Sequence, residues 1–230
     1  MDEKVYFDYV NGYGYVRRNI VSGGTRKPKR FPLGKCGRTE AKCRYDKWKE
    51  EHKPKNTPPM PKGTFEIIYA DPPWKYDFSK SKSRSIETHY QTMELNDICD
   101  LFKNHPQCKI ANNAILFLWA TAPKIKEALK VLDSWNFGYK TQAIWIKDKI
   151  GMGYYFRGQH EILLIGGIGK PLVPLPSNRQ SSVIDSPRSE HSAKPEAFYD
   201  LIEKMYPNRS YLELFARNTR DGWASWGNDI

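Results

Sequence analysis

The stretch Phe65-Glu66-Ile67-Ile68-Tyr69-Ala70-Asp71-Pro72-Pro73-Trp74 decides how the chain is read. From Phe65 to Ala70 it is short, apolar and rich in β-branched and aromatic residues, the pattern of a strand. An acid, two prolines and a tryptophan close it. Proline has no N–H to give a ladder, so the strand ends at Asp71. The Asp71 carboxylate then stands at a strand's carboxyl end, where open α/β sheets take their ligands. Pro72 and Pro73 fix φ twice in succession, which stiffens the turn and aims its carbonyls. Trp74 adds a flat apolar face beside those acceptors, a combination suited to a planar ring that carries an amine. A turn whose tryptophan merely packs is the plainer alternative.

Downstream the pattern alternates. Residues 75–88 are polar, rich in Ser and Lys and without a period, as in a loop beside a site. A helix is expected over 94–102 and a buried strand over 114–119. A second helix, 124–135, places Ile125, Leu129 and Leu132 on one face. Strands are expected over 140–146 and 161–165, joined by a connection holding Gly151, Gly153, Gly158 and Arg157. Residues 170–191 show no period. Lys194-Pro195 opens a helix over 196–205, with proline in the first turn. A last strand is expected over 210–216, then a terminal turn over 223–229. Strands alternating with helices argue an α/β fold with a parallel, doubly wound sheet.

Upstream the composition changes. The 230-residue chain has a net charge of +11. Residues 1–62 hold 16 Lys and Arg against 7 Asp and Glu, a net of +9. Such a concentration points to a polyanion held there, or to a solubilising basic tail. Two alternating runs flank Asn11-Gly12, a strong hairpin signal, and residues 25–33 form a third, basic run. A helix over 38–53 follows, with Ala41, Tyr45 and Trp48 on one face. Residues 54–63, with Pro54, Pro58, Pro59 and Pro61, read as a stiff linker. The expected division is a small basic module over 1–53, the linker, and a main domain over 64–230. Cys36, Cys43, Cys99 and Cys108 are too scattered for a disulfide framework or a zinc site, so no metal is expected. No apolar run is long enough to span a membrane.

Asp71-Pro72-Pro73-Trp74 resembles the catalytic tetrapeptide of S-adenosylmethionine-dependent adenine-N6 methyltransferases of the MT-A70-like group. Further segments follow that group's order. They are Tyr90-Gln91-Thr92-Met93, Leu116-Phe117-Leu118-Trp119-Ala120-Thr121, Trp145-Ile146-Lys147, His160-Glu161 and Lys194-Pro195. Glu213-Leu214-Phe215-Ala216-Arg217 and Gly227-Asn228 complete the set, so the resemblance spans about 65–229. The implied fold is a Rossmann-like methyltransferase sheet in the permuted (β-class) motif order, with the catalytic turn early and the cofactor strand last. Glu213-Leu214-Phe215-Ala216 lacks the Gly-x-Gly of many methylases, and residues 54–62 lack the acid that the family carries upstream. The three-strands-plus-helix pattern of the first 53 residues resembles the small DNA-binding modules of plant transcription factors and of tyrosine-integrase arm-binding ends.

The resemblance implies roles. Asp71, Pro72, Pro73 and Trp74 are catalytic. S-adenosylmethionine is held by Asp71, Lys194, Arg217, Asn218, Asn228 and Asp229. Trp74, Tyr76, Tyr90, Arg157 and Glu161 line the substrate side. Arg17, Arg26, Lys29 and Arg30 are the nucleic-acid contacts of the basic module. The activity implied is methyl transfer to the N6 amine of a flipped or unpaired adenine in DNA, inside a bacterial or phage-infected cell. The same chemistry on RNA and a catalytically silent nucleic-acid-binding partner are the alternatives. Double-stranded DNA is the expected partner, with no membrane contact and a homodimer left open.

Overall fold

The computed structural model describes residues 4–8, 13–22, 25–35, 39–41, 43–44, 58–76, 92–151, 153–170, 172–187, 194–228 and 230. The chain divides into two compact units, 1–56 and 57–230.

In the first unit β1 (Lys4–Asp8), β2 (Tyr13–Ser22) and β3 (Thr25–Lys35) form an antiparallel sheet in chain order. Its register sets Lys4 opposite Arg17 and Arg17 opposite Arg30. Arg26 pairs with Val21 and Lys29 with Arg18. Residues 39–41 and 43–44 are helical, and Ala41 is buried.

The second unit is a seven-stranded sheet in the order β10-β9-β4-β5-β7-β6-β8. Its strands are β4 (Gly63–Ala70), β5 (Cys108–Ala120), β6 (Gly138–Ile146), β7 (His160–Ile168), β8 (Val183–Asp185), β9 (Tyr211–Leu214) and β10 (Trp223–Trp226). Among the described residues four α-helices accompany them: α1 (Leu95–Cys99), α2 (Leu101–Asn104), α3 (Ile125–Ser134) and α4 (Ala197–Met205). The sheet is α/β in class and Rossmann-like. It is mixed, however, rather than parallel throughout. β4 runs parallel to β5 and β9, and β9 to β10, but β7 lies antiparallel to both β5 and β6. A parallel neighbour needs a crossover, usually helical, and the β6–β7 connection contains no helix, so the chain turns straight back.

Three further expectations change. Residues 223–226, read as a turn, are edge strand β10; a four-residue Trp-Ala-Ser-Trp segment without a β-branched residue is too short to show a period. Residues 183–185, inside the stretch read as loop, pair with β6. The helix expected over 94–102 breaks at Asp100 into α1 and α2.

Both sheet faces are covered, which explains the unbroken apolar run from Ile67 to Ala70. Ile68, Ala70, Leu116 and Leu118 meet Ile98, Val131, Leu132 and Trp135 on one side. Ile67, Tyr69, Phe117, Trp119 and Leu163 meet Phe198, Tyr199 and Ile202 of α4 on the other. Contact is close at Gly166, where a Cβ would lie 2.3 Å from Leu132 Cδ2 and 2.9 Å from Phe137 Cβ. Gly166→Ala is therefore expected to overpack the α3 face and destabilise the protein by roughly 1–3 kcal/mol. Urea unfolding of the variant against wild type measures this, and an unchanged midpoint would refute the packing argument.

Candidate active site

Asp71 leaves β4 at its carboxyl end, as the prolines require. Its N–H reaches Leu214 O of neighbouring β9 at 3.4 Å. The turn beyond is held by its own backbone. Pro72 O accepts the Trp74 N–H at 2.8 Å, and Pro73 O accepts the Met93 N–H at 3.0 Å. Trp74 is only 7% exposed, and its Nε1 donates to Trp119 O at 3.2 Å. The core thus immobilises the indole, which forms a wall of the turn. Tyr76, half-buried, exchanges a hydrogen bond with Thr121 Oγ1 at 2.5 Å, with Lys124 Nζ 5.3 Å over its ring. Burial raises the Tyr76 phenol above its usual range, so it stays neutral.

The acid does not stand alone. Lys194 Nζ lies 2.5 Å from Asp71 Oδ2 and 3.3 Å from Glu161 Oε2. Glu161 Oε1 in turn takes Lys147 Nζ at 2.5 Å. Lys147, Glu161, Lys194 and Asp71 therefore form one chain of alternating charge, each side chain between 10% and 25% exposed. Its floor is aromatic: Lys194 Nζ sits 5.2 Å over Trp119 and Lys147 Nζ 5.0 Å over Trp145. Burial opposes ionisation of Glu161, but Lys194 and Lys147 outweigh it and hold the carboxyl below its ordinary range. Burial likewise works against the Lys194 charge, and Asp71 with Glu161 more than restores it.

β9 and β10 supply the neighbouring wall. A Cβ on Gly227 would lie 2.0 Å from Ala216 O and 2.5 Å from Ala216 N, and Ala216 N–H donates to Trp226 O at 2.9 Å. The loops after these strands are thus pressed together at the carboxyl end, with Arg217 and Asn228 half-buried and Asn218 exposed. Asp71, Glu161, Lys147 and Lys194 lie at the carboxyl end of the sheet, and Arg217, Asn218 and Asn228 follow the carboxyl ends of the neighbouring strands β9 and β10. That donor set complements a ligand bearing an ammonium, a carboxylate and hydroxyls together. An apolar cavity of about 320 Å³ lies elsewhere on the α4 side, lined by Phe117, Ala143, Leu163, Leu201 and Met205 among others. None of these charged groups lines it, and no carboxylate does.

Of the residues singled out in sequence, Asp71, Pro72, Pro73, Trp74, Tyr76, Glu161 and Lys194 come together. Arg157 is exposed on the β6–β7 loop, its Nε on Gly151 O at 3.1 Å. Tyr90 and Asp229 lie outside the described residues. Arg17, Arg26, Lys29 and Arg30 belong to the first unit. Lys147 and Glu213 had no assigned role in sequence. Lys147 is legible only through its partner Glu161. Glu213 is buried on β9, accepts Tyr199 Oη at 2.6 Å, and has no partner for Oε2 among the described residues.

Residues 65–229 match the family model MT-A70. The chain is 35% identical over 191 residues to "Type II methyltransferase M.MunI" of Mycoplasma sp, covering 75% of this chain and 81% of that protein. It is 30% identical over 178 residues to "N(6)-adenosine-methyltransferase MT-A70-like" of Arabidopsis thaliana. It is 30% identical over 191 residues to "N(6)-adenine-specific methyltransferase METTL4" of Homo sapiens. Those two alignments each cover 73% of this chain but only 24% and 38% of the relatives, so the chain spans well under half of either.

Glu213 gives this wall a pH dependence. Burial, reinforced by Asp71 and only partly offset by Tyr199, pushes its carboxyl from the ordinary 4.5 up to about 7. Between those values the unfolded chain has released the proton that the folded chain retains, so stability falls as pH rises through the window. Glu213→Gln should remove that fall and leave the variant more urea-resistant than wild type at pH 8 but not at pH 5. Parallel pH profiles for the two proteins would contradict it.

Proposed function

The chain belongs to the MT-A70 methyltransferase family, and from that premise we propose that it is a DNA adenine-N6 methyltransferase. The observation that carries this reading is the Asp71 carboxylate at the end of β4, anchored through one oxygen by Lys194. S-adenosylmethionine, when bound, supplies an electrophilic sulfonium methyl group. Lys194, Arg217, Asn218 and Asn228 are the described residues whose chemistry suits its amino-acid tail and ribose, Asp71 being shared between cofactor and substrate. Asp229 is proposed with them.

Adenine's exocyclic nitrogen is a weak nucleophile because its lone pair is delocalised into the ring. Lys194 occupies Asp71 Oδ2, and Oδ1 accepts one N6–H. Pro72 O, already fixed by the Trp74 N–H, has a second lone pair for the other. Two acceptors aimed at one amine draw the nitrogen toward a tetrahedral geometry and free its pair. The catalysis is positioning and electrostatics, without a covalent enzyme intermediate. Trp74 and Tyr76 form the walls beside the base, Tyr90 being proposed as a further substrate contact, and Glu161 acts by holding Lys194. In duplex DNA the base must leave its stack, at a cost of a few kcal/mol. Exposed Arg157 offers a phosphate contact that helps to meet it, and Arg17, Arg26, Lys29 and Arg30 are proposed as nucleic-acid contacts of the basic first unit.

DNA is preferred because the relative matched over most of its own length is named a type II methyltransferase, and because the first unit is basic. RNA is the second reading, favoured by the plant relative named an N(6)-adenosine-methyltransferase. Incubation with labelled S-adenosylmethionine and matched duplex DNA, single-stranded DNA and RNA separates them. Transfer to DNA is expected, reduced by on the order of 10²–10³-fold in Asp71→Ala. Transfer to RNA alone would support the second reading, and binding without any transfer a silent partner. Removal of residues 1–56 should weaken DNA binding and flatten its salt dependence. An unchanged salt slope would reject a binding role for the first unit.

A further inference from the structure

The loop between β6 and β7 carries Tyr154, Tyr155 and Phe156 at its tip, 97%, 98% and 90% exposed. Most aromatic side chains of this unit are in the core, where burial makes them among the largest contributors to a fold. Three in succession left in water mark a surface that meets something. The loop that presents them is braced. Gly151 N–H donates to Gly158 O at 2.7 Å, and Lys147 N–H to Gln159 O at 2.9 Å. Gln159 Nε2 returns to Lys147 O at 3.1 Å, and Arg157 Nε donates to Gly151 O at 3.1 Å. A Cβ on Gly153 would lie 1.9 Å from Phe156 O, so the tip folds back on itself where only glycine fits.

The stem of this loop is the site itself. Lys147 directly follows β6, Glu161 is the second residue of β7, and the pair leads through Lys194 to Asp71. Lys149 and Arg157, both exposed, belong to the same loop. We propose that Tyr154, Tyr155 and Phe156 form a stacking platform for nucleobases of the DNA strand next to the target adenine. Cations take the phosphates while the rings take the base faces, a combination that tolerates any sequence. In a duplex the same rings can wedge into the gap opened as the target leaves its stack. The inference takes its substrate from the methyl-transfer reading above. A second copy of the chain is the competing occupant, but a tip-to-tip contact would set Lys149 and Arg157 against their own kind, which is unfavourable.

The test is a variant with all three residues changed to Ala, and a second with Tyr154→Phe and Tyr155→Phe. Fluorescein-labelled single-stranded and duplex oligonucleotides containing adenine are titrated by anisotropy, and the mass of each protein is followed by sedimentation. The platform predicts affinity for single-stranded DNA about 10- to 100-fold weaker in the Ala variant, near wild type in the Phe variant, with no change of oligomeric state. Unchanged affinity overturns the proposal. So does a loss of affinity that accompanies loss of a wild-type dimer, which would assign the tip to self-association. Binding needs no methyl transfer, so a wild-type protein that binds through the rings yet transfers nothing would refute the enzymatic reading and leave the platform standing.

Discussion

The unit that carries the chemistry depends on a chain of four alternating charges, Lys147, Glu161, Lys194 and Asp71, laid over an aromatic floor. Charges withdrawn this far from water are tolerable only when paired. Here the pairing also joins three parts of the chain: the end of β4, the base of the β6–β7 loop, and the entry to α4. Loss of any inner member leaves like charges adjacent, so geometry and charge balance are a single constraint. Asp71 is the terminal member, and Lys194 holds one of its oxygens.

The floor explains why so many aromatics sit on the α4 side. Trp119 packs edge-on to Phe198 at 4.7 Å and to Trp145 at 6.0 Å, and Tyr69 meets Tyr199 at 5.1 Å and Trp223 at 6.1 Å. Rings in edge contact fill volume with few rotamers and present negative faces to the ammonium groups above. β9 and β10 are only four residues each, yet Trp223 stacks on Tyr211 at 4.7 Å and ties that edge to the same layer. The position of the site is thus fixed by core packing as much as by its own hydrogen bonds.

Much of this was legible in the residues. Proline's missing N–H placed the end of β4 at Asp71, and the apolar run over 114–119 placed a buried strand beside it. The ordered segments from Phe65 to Asn228 identified the family and the permuted order of parts. Strand direction was less accessible, because it depends on whether a connection crosses the sheet, and the β6–β7 connection has a crossover's length but not its helix. Ion pairing was inaccessible for a related reason: Lys194 and Asp71 are 123 residues apart, and nothing local marks them as partners. Trp74 read as an open stacking face, whereas tertiary packing around Trp119 encloses it. The exposure of Tyr154, Tyr155 and Phe156 ran against hydrophobicity altogether, and only the glycines around them hinted at a shaped loop.

The missing Gly-x-Gly after the last central strand finds a physical answer in the same place. A chain that turns sharply at a strand's carboxyl end needs left-handed backbone or close approach, and glycine usually provides both. Here the two needs are divided between neighbouring strands. Phe215, just after β9, takes φ 64° despite its side chain, a strain of about 1–2 kcal/mol, and its ring is set 5.7 Å from Trp226 in edge contact. Close approach falls instead to Gly227 after β10, against the Ala216 backbone. Packing of Phe215 offsets the strain that glycine would have avoided, and the wall gains an aromatic side chain where a glycine loop would leave bare backbone. In the function proposed above, a site built this way would hold its ligand through side chains such as Lys194 and Arg217, which ties ligand binding to the register of β9 and β10.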